Sequence, residues 1–415
     1  MSERTRDKKP VYRASIDALN RIGFRPLSGD EVSQTTQAYR RHLEWGLAHH
    51  PQGSLAIIDT LLPKVGKSTT TDTRSVLVVE IGGTNIYGGL VSRGRVKDDF
   101  RGELPTRQFQ DATAFFESII EPLAPLIERS GQPDALGIVY SFPAEAVRTD
   151  LGVDVFSPPK LPKEFVIPGI EQRPVGEAFL AVLAARFNFP RMPIAVLNDT
   201  PAVLLAADAK IGGVIGTGYN LAFKHKGVLY NTESGGFSEV PDHFIAGLVD
   251  QKSQAQGRQK AEKQVGGMYL GAQIREALRF LHKEGILKIQ PTSEVSAATI
   301  SAVLRLDRKA LADQIPGNLD MDTLATLTAL VGRIRYRAAQ LAGVMIGTMI
   351  STFPGEFGES VVNIPVEGSL FWRVPEFNQI AAVYANDVSG KEINFLEISQ
   401  AGIKGAAVAA LSLGI

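Results

Sequence analysis

Runs of β-branched residues alternate with helical stretches through the middle of the chain. Residues 75–91 are rich in β-branched side chains and are broken by glycines, a pattern that predicts two strands joined by a tight turn. Further strands are predicted at residues 135–140 and 194–197, and helices at residues 112–130 and 175–187. This alternation of strands and helices predicts an α/β architecture.

The strand predicted at residues 194–197 leads into Asn198, Asp199, Thr200 and Pro201, and an apolar helix is predicted at residues 202–208. Thr200 suits the helix N-cap, and Pro201 suits the first helical position because its missing N–H costs nothing there. Asp199 would then lie between a strand and a helix. We expect its side chain to point outward rather than into a core.

The two flanking parts of the chain are predicted to be mainly helical. Residues 16–48 look helical, and their possible core contacts are Leu19, Ile22, Tyr39, Leu43 and Leu47. From about residue 261 onwards helix predominates, with strands near residues 361–366 and 392–397. Residues 341–353 are the longest apolar stretch, but their hydroxyl side chains favour a buried helix over a membrane span.

Length and charge narrow the classes of protein that the chain can represent. Its 415 residues are long for a single core, so we expect two domains. Lys plus Arg and Asp plus Glu both total 44, which gives no basic excess for a nucleic-acid partner. There are no cysteines, so disulfides and cysteine-ligated metals are excluded, and a cytoplasmic location is expected. The charged residues 1–10 are not typical of a secretory signal, and residues 64–74 look like a polar linker.

Two glycine turns follow β-rich runs and are candidates for phosphate binding. They are Gly82-Gly83-Thr84-Asn85 and Gly216-Thr217-Gly218-Tyr219-Asn220. Glycines let a backbone approach a ligand closely, and exposed N–H groups can cradle phosphate oxygens. Each turn alone would more often be an ordinary hairpin. Together they fit a nucleotide held between two related half-folds.

Other phosphate-binding patterns fail. The segment Gly66-Lys67-Ser68 matches the end of a P-loop, but Leu61 stands where the first glycine of that motif is required. Gly-x-Gly-x-x-Gly is absent from both glycine turns, so dinucleotide binding has little support. The six histidines show no metal-ligand spacing, which argues against a zinc site.

Three carboxylates are candidates for chemistry. Asp199, at the end of a strand, is well placed to accept a proton, although helix capping is an equally ordinary role for an aspartate there. Glu233 and Glu262 could accept hydrogen bonds from sugar hydroxyls if they face a cleft. Each of these two glutamates, taken alone, would more often be surface charge.

In their order along the chain, these motifs resemble those of the hexokinase family of actin-like sugar kinases. The resemblance covers residue 75 to the C-terminus, and the segments that carry it are Glu80-Ile-Gly-Gly-Thr-Asn85, Ser141-Phe142-Pro143, Asn198-Asp199-Thr200, Gly216 to Asn220, Asn231 to Phe237, Gly257 to Lys263, Glu367-Gly368-Ser369 and Gly402 to Ala407. It implies a two-lobed actin-like ATPase (ribonuclease H-like) α/β fold with a cleft. The expected small domain is residues 75–198 plus 400–415, and the expected large domain is residues 1–74 plus 199–399.

The resemblance also implies ATP-dependent phosphorylation of a hexose, with glucose as the expected substrate. The charge balance and the lack of a membrane-length apolar segment separately argue against a nucleic-acid or membrane partner. Asp199 would be the general base for the sugar hydroxyl. The residues expected to hold the sugar are Ser141, Phe142, Lys160, Asn198, Asn220, Glu233 and Glu262. Those expected at ATP are Gly82, Gly83, Thr84, Asn85, Gly216, Thr217 and Gly218 at the phosphates, with Gly368 and Ser369 near adenosine. Glu80 would help to position Mg²⁺ through water.

Four positions depart from the family pattern. Glu80 stands where Asp is usual, Tyr87 where Arg is usual, Pro159 where Thr is usual and Ser234 where Trp is usual. These departures leave two alternatives open. The chain could be a non-catalytic sugar sensor on the same scaffold, although a pure sensor would not need Asp199 as a base. It could also be a kinase for another hexose, such as mannose, fructose or an amino sugar.

Overall fold

The computed structural model describes residues 11–63, 72–82, 85–161, 165–288, 295–312 and 320–413. In chain order the strands are β1 (Ile58–Asp59), β2 (Ser75–Ile81), β3 (Asn85–Ser92), β4 (Arg95–Glu103), β5 (Ala135–Tyr140), β6 (Glu145–Thr149), β7 (Gly152–Phe156), β8 (Ile194–Leu197), β9 (Ile211–Ile215), β10 (Tyr219–His225), β11 (Val228–Asn231), β12 (Val361–Glu367) and β13 (Glu392–Leu396). The helices are α1 (Val11–Arg21), α2 (Gly29–Leu47), α3 (Ala112–Ser130), α4 (Val175–Phe187), α5 (Asp199–Ala206), α6 (Phe244–Lys252), α7 (Lys260–Val265), α8 (Gly267–Lys283), α9 (Ala297–Leu304), α10 (Arg308–Ala312), α11 (Met321–Thr352), α12 (Ser369–Arg373), α13 (Phe377–Ser389) and α14 (Ala401–Leu411).

The first sheet has seven strands in the order β4-β3-β2-β5-β8-β7-β6. Its centre is parallel, because β2, β5 and β8 run in the same direction. Side chains alternate between its two faces along β2, as the period of two in a strand requires. Leu77 and Val79 lie in a core with α3 and α4, whereas Val76 and Val78 lie in a core with α5 and α14. The sheet is therefore covered by helices on both faces.

The second sheet has six strands in the order β1-β11-β10-β9-β12-β13, and β12 runs parallel to both β9 and β13. Its core is continuous with the packing around the long helix α11, which contacts α2 and α13. Residues 337–350 of α11 are all buried, so the prediction of a buried helix at the longest apolar stretch is confirmed. Among the described residues, no helix combines the length and the apolar run that crossing a membrane requires.

Most elements predicted from the hydrophobic pattern are present, and α3, α4, β5 and β8 have the predicted bounds. The helical prediction for residues 16–48 is wrong at residues 22–28. Gly23 has a φ of 72° there, and Ser28 begins α2 by accepting the backbone N–H of Glu31 while Glu31 accepts that of Ser28. The strands β4, β6 and β7 were not predicted, because their alternate positions are too polar to stand out.

The start of α5 also differs from the prediction. The N-cap is Asn198 rather than Thr200, so Asp199 is the first helical residue and Pro201 the third. The side chain of Asn198 accepts the backbone N–H of Thr200 at 3.2 Å, while the Thr200 hydroxyl donates to Asp199 Oδ1 at 3.0 Å. Helix α5 contacts both α14 and β9, and so joins the packing of the two sheets. The proposed domain bounds stay a prediction.

Candidate active site

Asp199 lies near the segments that carry the two glycine turns, because helix α5 contacts β9 and β12 as well as β5. Its charge acts on Glu80, two residues before Gly82, and on Glu367, which immediately precedes Gly368. Gly368 in turn packs on the second turn, because a Cβ built on Gly216 would lie 3.3 Å from its Cα. The sequence alone does not predict how far apart these segments lie, whereas the fold brings them close together.

A cavity of about 330 Å³ adjoins Asp199. It is lined by three of the residues expected at the sugar, Phe142, Asn198 and Glu233. This volume lies at the lower end of the roughly 300–1,000 Å³ found for small-molecule sites. The other lining residues are Ser54, Ala56, Ile58, Asp59, Thr60, Tyr140, Pro143, Ala144, Ala146, Val155, Val196, Leu197, Pro201, Asn231, Gly236 and Gln259.

Four other residues expected at the sugar do not line this cavity. Asn220 is hydrogen-bonded to the lining residue Asn231, Glu262 lies beside Gly235, and Ser141 follows β5, where its backbone N–H donates to the Ile81 carbonyl at 3.1 Å. Lys160 is exposed in the loop after β7. The structure therefore gathers part of the expected sugar set around the cavity and leaves Lys160 outside it.

A chain of side-chain amides supports Glu233 from behind. Asn220 Nδ2 donates to Asn231 Oδ1 at 2.7 Å, and Asn231 Nδ2 donates to Glu233 Oε1 at 2.7 Å. The Asn220 amide is itself fixed, because its Oδ1 accepts the backbone N–H groups of Leu221 and Ser234. The orientation of the Glu233 carboxylate is thus set by hydrogen bonds before any ligand binds.

The second glycine turn is held by backbone bonds to the start of α8. The carbonyl oxygen of Gly216 accepts the N–H of Gly267 at 2.8 Å, and that of Thr217 accepts the N–H of Met268 at 3.1 Å. A side chain at Gly218 would displace the carboxylate of Glu262, since its Cβ would lie 2.6 Å from Glu262 Oε1. Thr217 is exposed at the tip, where it could meet a ligand.

The first glycine turn is described only in part. Gly82 donates its N–H to the Asn85 carbonyl at 3.1 Å, and Asn85 is exposed. Gly83 and Thr84, which were expected at the ATP phosphates, lie outside the described residues. On the adenosine side, Ser369 begins α12 and is exposed, directly after Gly368.

Several carboxylates repel one another around Asp199. Burial, followed by the charges of Glu367 and Asp199, raises the pKa of Glu80 to about 8. Burial and the charge of Asp199 also raise the pKa of Glu233 and of Glu367, although hydrogen bonds oppose the shift in both. This concentration of negative charge would be relieved by a cation or by hydrogen-bond donors from a ligand.

The donor set near the glycine turns fits magnesium better than a softer metal. Glu80 and Glu367 offer carboxylate oxygens, which are the ligands that Mg²⁺ takes in proteins. No group of three or more acidic, His or Cys side chains within the described residues could cage a metal ion. Magnesium commonly keeps several waters and is bound through one or two carboxylates plus substrate phosphates, so a water-mediated role for Glu80 fits this arrangement.

Sequence reasoning missed several residues that line the cavity or support it. Asn231 and Gln259 lie within segments that resemble hexokinase motifs, but their side-chain roles depend on neighbours that only the fold supplies. Ser54 and Asp59 come from the segment that follows α2, where no motif marked them. Pairing of β1 with β11 places Asp59 opposite Tyr230, and this pairing brings the segment to the cavity.

A larger groove of about 840 Å³ lies between α3 and α4. None of the residues expected at sugar or ATP lines it, and its walls carry exposed charges such as Glu117 and Arg173. Size alone therefore does not identify the site, and the smaller cavity beside Asp199 is the better candidate.

Comparison with known proteins identifies the fold and the family. A hexokinase from Schistosoma mansoni complexed with glucose superposes with a TM-score of 0.80 at 22% identity, covering 97% of this chain and 99% of that chain. The likeness shows the two-lobed, actin-like α/β fold. Hexokinase HKDC1 of Homo sapiens is 25% identical over 445 residues, or 96% of this chain and 48% of that protein. This chain thus spans about half the length of the human relative.

Hexokinase-2 of Saccharomyces cerevisiae is 25% identical over 411 residues, which cover 86% of this chain and 83% of that protein. Two family models, each described as hexokinase, match residues 25–209 and residues 210–412. The two matches are contiguous and extend through both sheets and the cavity between them, and this chain belongs to the hexokinase family.

Proposed function

We propose that this protein transfers the γ-phosphoryl group of ATP to a hydroxyl group of a hexose, with glucose as the expected substrate. The observation that carries the proposal is the position of Asp199. Its chain neighbour Asn198 lines the cavity, and its charge acts on Glu80 and Glu367 in the segments of the two glycine turns. A base between an acceptor hydroxyl and a bound triphosphate is the arrangement that in-line phosphoryl transfer needs.

In the proposed reaction the Asp199 carboxylate accepts the proton of the attacking sugar hydroxyl. The hydroxyl of Thr200, which donates to Oδ1, restricts the rotation of this carboxylate. Backbone N–H groups of the glycine turns would stabilise charge on the phosphate oxygens. Magnesium, when bound, would offset charge on the same oxygens, and Glu80 and Glu367 are the residues that would hold it through water.

The sugar is proposed to bind in the cavity that Phe142, Asn198 and Glu233 line. The carboxylate of Glu233 would accept hydrogen bonds from sugar hydroxyl groups, and the Asn198 amide can donate or accept. Lys160 is exposed in this structure. We propose that it joins the sugar when the cleft closes, which would also keep water from accepting the phosphoryl group.

The proposal is tested by coupled ATP consumption with a panel of glucose, mannose, fructose and glucosamine. Asp199→Ala should lower kcat by roughly 10²- to 10⁴-fold, the usual contribution of a general base, while circular dichroism shows an unchanged fold. Asp208→Ala, beyond the other end of α5, is the matched control and should keep normal turnover.

Two results would contradict the proposal. Near-normal turnover of the Asp199→Ala variant would remove Asp199 from the role of base. If the protein bound a sugar but consumed ATP with no sugar of the panel, the alternative of a non-catalytic sugar sensor would be favoured. Glu80, Tyr87 and Pro159, which depart from the family pattern, support that alternative.

A further inference from the structure

We propose that Arg101, on strand β4, binds the phosphate groups of ATP, with the ring of Tyr87 holding its guanidinium in place. This inference rests on the proposed ATP-dependent function and adds a binding residue to it. Arg101 lies two strands away from β2, the strand that leads into the first glycine turn. No motif in the sequence marked this position.

The register of the first sheet puts the three relevant side chains in one row. Glu80 pairs with Tyr87 across β2 and β3, and Tyr87 pairs with Arg101 across β3 and β4. Directly paired residues of antiparallel strands point to the same face of a sheet. Arg101 therefore shares the face of Glu80, which packs against the start of α14 because a Cβ on Gly402 would lie 2.8 Å from Glu80 Oε2.

Two contacts position the Arg101 side chain. Its Cζ lies 5.4 Å from the centre of the Tyr87 ring, within the range of a cation–π contact. Its Nε lies 4.0 Å from Asp99 Oδ2, which also accepts a hydrogen bond from Gln400 at the start of α14. About two thirds of the side chain is exposed, at 66%, so the guanidinium can still reach a ligand.

The charges around Arg101 are the reason to expect it to bind phosphate. A triphosphate that enters beside Glu80, Asp199 and Glu367 meets three carboxyl groups, and Glu80 lies in the same row of paired residues as Arg101. Arg101 places a positive charge in this row, where it would offset the repulsion between the triphosphate and these carboxyl groups. Guanidinium groups bind phosphate oxygens through paired, charge-assisted hydrogen bonds.

The test compares Arg101→Gln and Arg101→Lys with Arg95→Gln, which removes the same charge from the exposed far end of β4. Binding is measured with the β,γ-imido analogue of ATP in the presence of magnesium, and KM is measured for ATP and for the hexose separately. We expect Arg101→Gln to weaken binding of the analogue, and to raise the KM for ATP, by about tenfold or more. This is the usual effect of losing a charged hydrogen bond. The KM for hexose should change little, Arg101→Lys should retain part of the affinity, and Arg95→Gln should match the wild type.

Equal binding of the analogue by Arg101→Gln and Arg95→Gln would overturn the inference. Equal losses of analogue binding in Arg101→Gln and Arg101→Lys would also overturn it. Such a result would show that the positive charge at position 101 does not contribute to binding. Failure of the proposed function is a separate result: a wild type that binds the analogue but phosphorylates no hexose. Tyr87→Leu tests whether the Tyr87 ring positions the guanidinium of Arg101. It should weaken binding of the analogue less than Arg101→Gln does.

Discussion

The hydroxyl groups of Tyr39 and Ser234 lie 2.7 Å apart, although the two residues are 195 positions apart in the chain. Tyr39 is fully buried on α2, and Ser234 directly follows Glu233 at the cavity. The Ser234 hydroxyl also contacts that of Thr232. The hexokinase resemblance leads one to expect Trp at position 234, and the smaller Ser here takes part in a buried hydrogen-bond chain to the N-terminal helices.

Tyr39→Phe removes one end of this hydroxyl chain without changing the ring. We expect a loss of about 1 kcal/mol in the free energy of unfolding, the usual net value of one buried hydrogen bond, and a higher KM for hexose because the chain ends beside Glu233. Urea denaturation and steady-state kinetics measure the two effects. The control is Tyr336→Phe, whose hydroxyl lies 3.0 Å from that of Tyr384 on the far helices α11 and α13. An unchanged KM in Tyr39→Phe would separate this chain from the site.

Asn231→Ala breaks the amide chain that orients Glu233. The variant leaves the Asn220 amide and the Glu233 carboxylate, both partly buried, each without one partner, a loss towards the lower end of the roughly 1–3 kcal/mol that a fully buried group would cost. We expect a lower melting temperature and a KM for hexose that rises more than the KM for ATP. Asn363→Ala, which breaks an exposed amide pair with Asn394, should leave both KM values unchanged. Equal increases in both KM values would contradict a specific role at the sugar.

The raised pKa of Glu80 predicts a loss of stability towards alkaline pH. The pKa of Glu80 is about 8 in the folded protein, whereas in the unfolded chain it is the ordinary glutamate value of 4.5. Between these values the folded state binds more protons, so the free energy of unfolding falls as pH rises. The slope for one group is at most about 1.4 kcal/mol per pH unit.

Glu80→Gln isolates this contribution, because glutamine resembles the protonated acid in shape and carries no charge. We expect the variant and the wild type to be equally stable near pH 4.5 and to diverge up to about pH 8, with the variant more stable. Urea titrations at several pH values measure the difference, and subtraction cancels the other ionisable groups. A constant difference across this pH range would show that Glu80 titrates normally in the folded protein.

Gly368→Ala tests the contact between the adenosine-side segment and the second glycine turn. Gly368 has a φ of 131°, and an added Cβ would lie 2.2 Å from the carbonyl oxygen of Ile215. Such strain costs about 1–3 kcal/mol, and displacing the turn should raise the KM for ATP more than the KM for hexose. Gly358→Ala has no neighbour within 4 Å of its Cβ and should be neutral. Equal stability of the two variants would contradict the crowding at Gly368.

Local patterns in the sequence determined the elements and the order of the motifs. The strand at residues 135–140 and the helix at residues 175–187 were predicted with their observed bounds, because both are mostly apolar segments, and apolar character can be read from neighbouring residues. The ordered motifs likewise led to the hexokinase family. The predicted cap of α5 was wrong, because Thr200 is buried inside the helix and donates its hydroxyl to Asp199, while Asn198 accepts the backbone N–H of Thr200.

Only the tertiary structure decided which side chains meet. The repulsion among Glu80, Asp199 and Glu367, the pairing of Tyr39 with Ser234 and the row that ends at Arg101 all join segments far apart in the chain. Sheet register and the packing of distant helices create these contacts, which cannot be recognised from the pattern of hydrophobic and polar residues in either segment. The sequence alone therefore determined the family and the candidate base, whereas the fold decided the electrostatics around that base and the residues that support it.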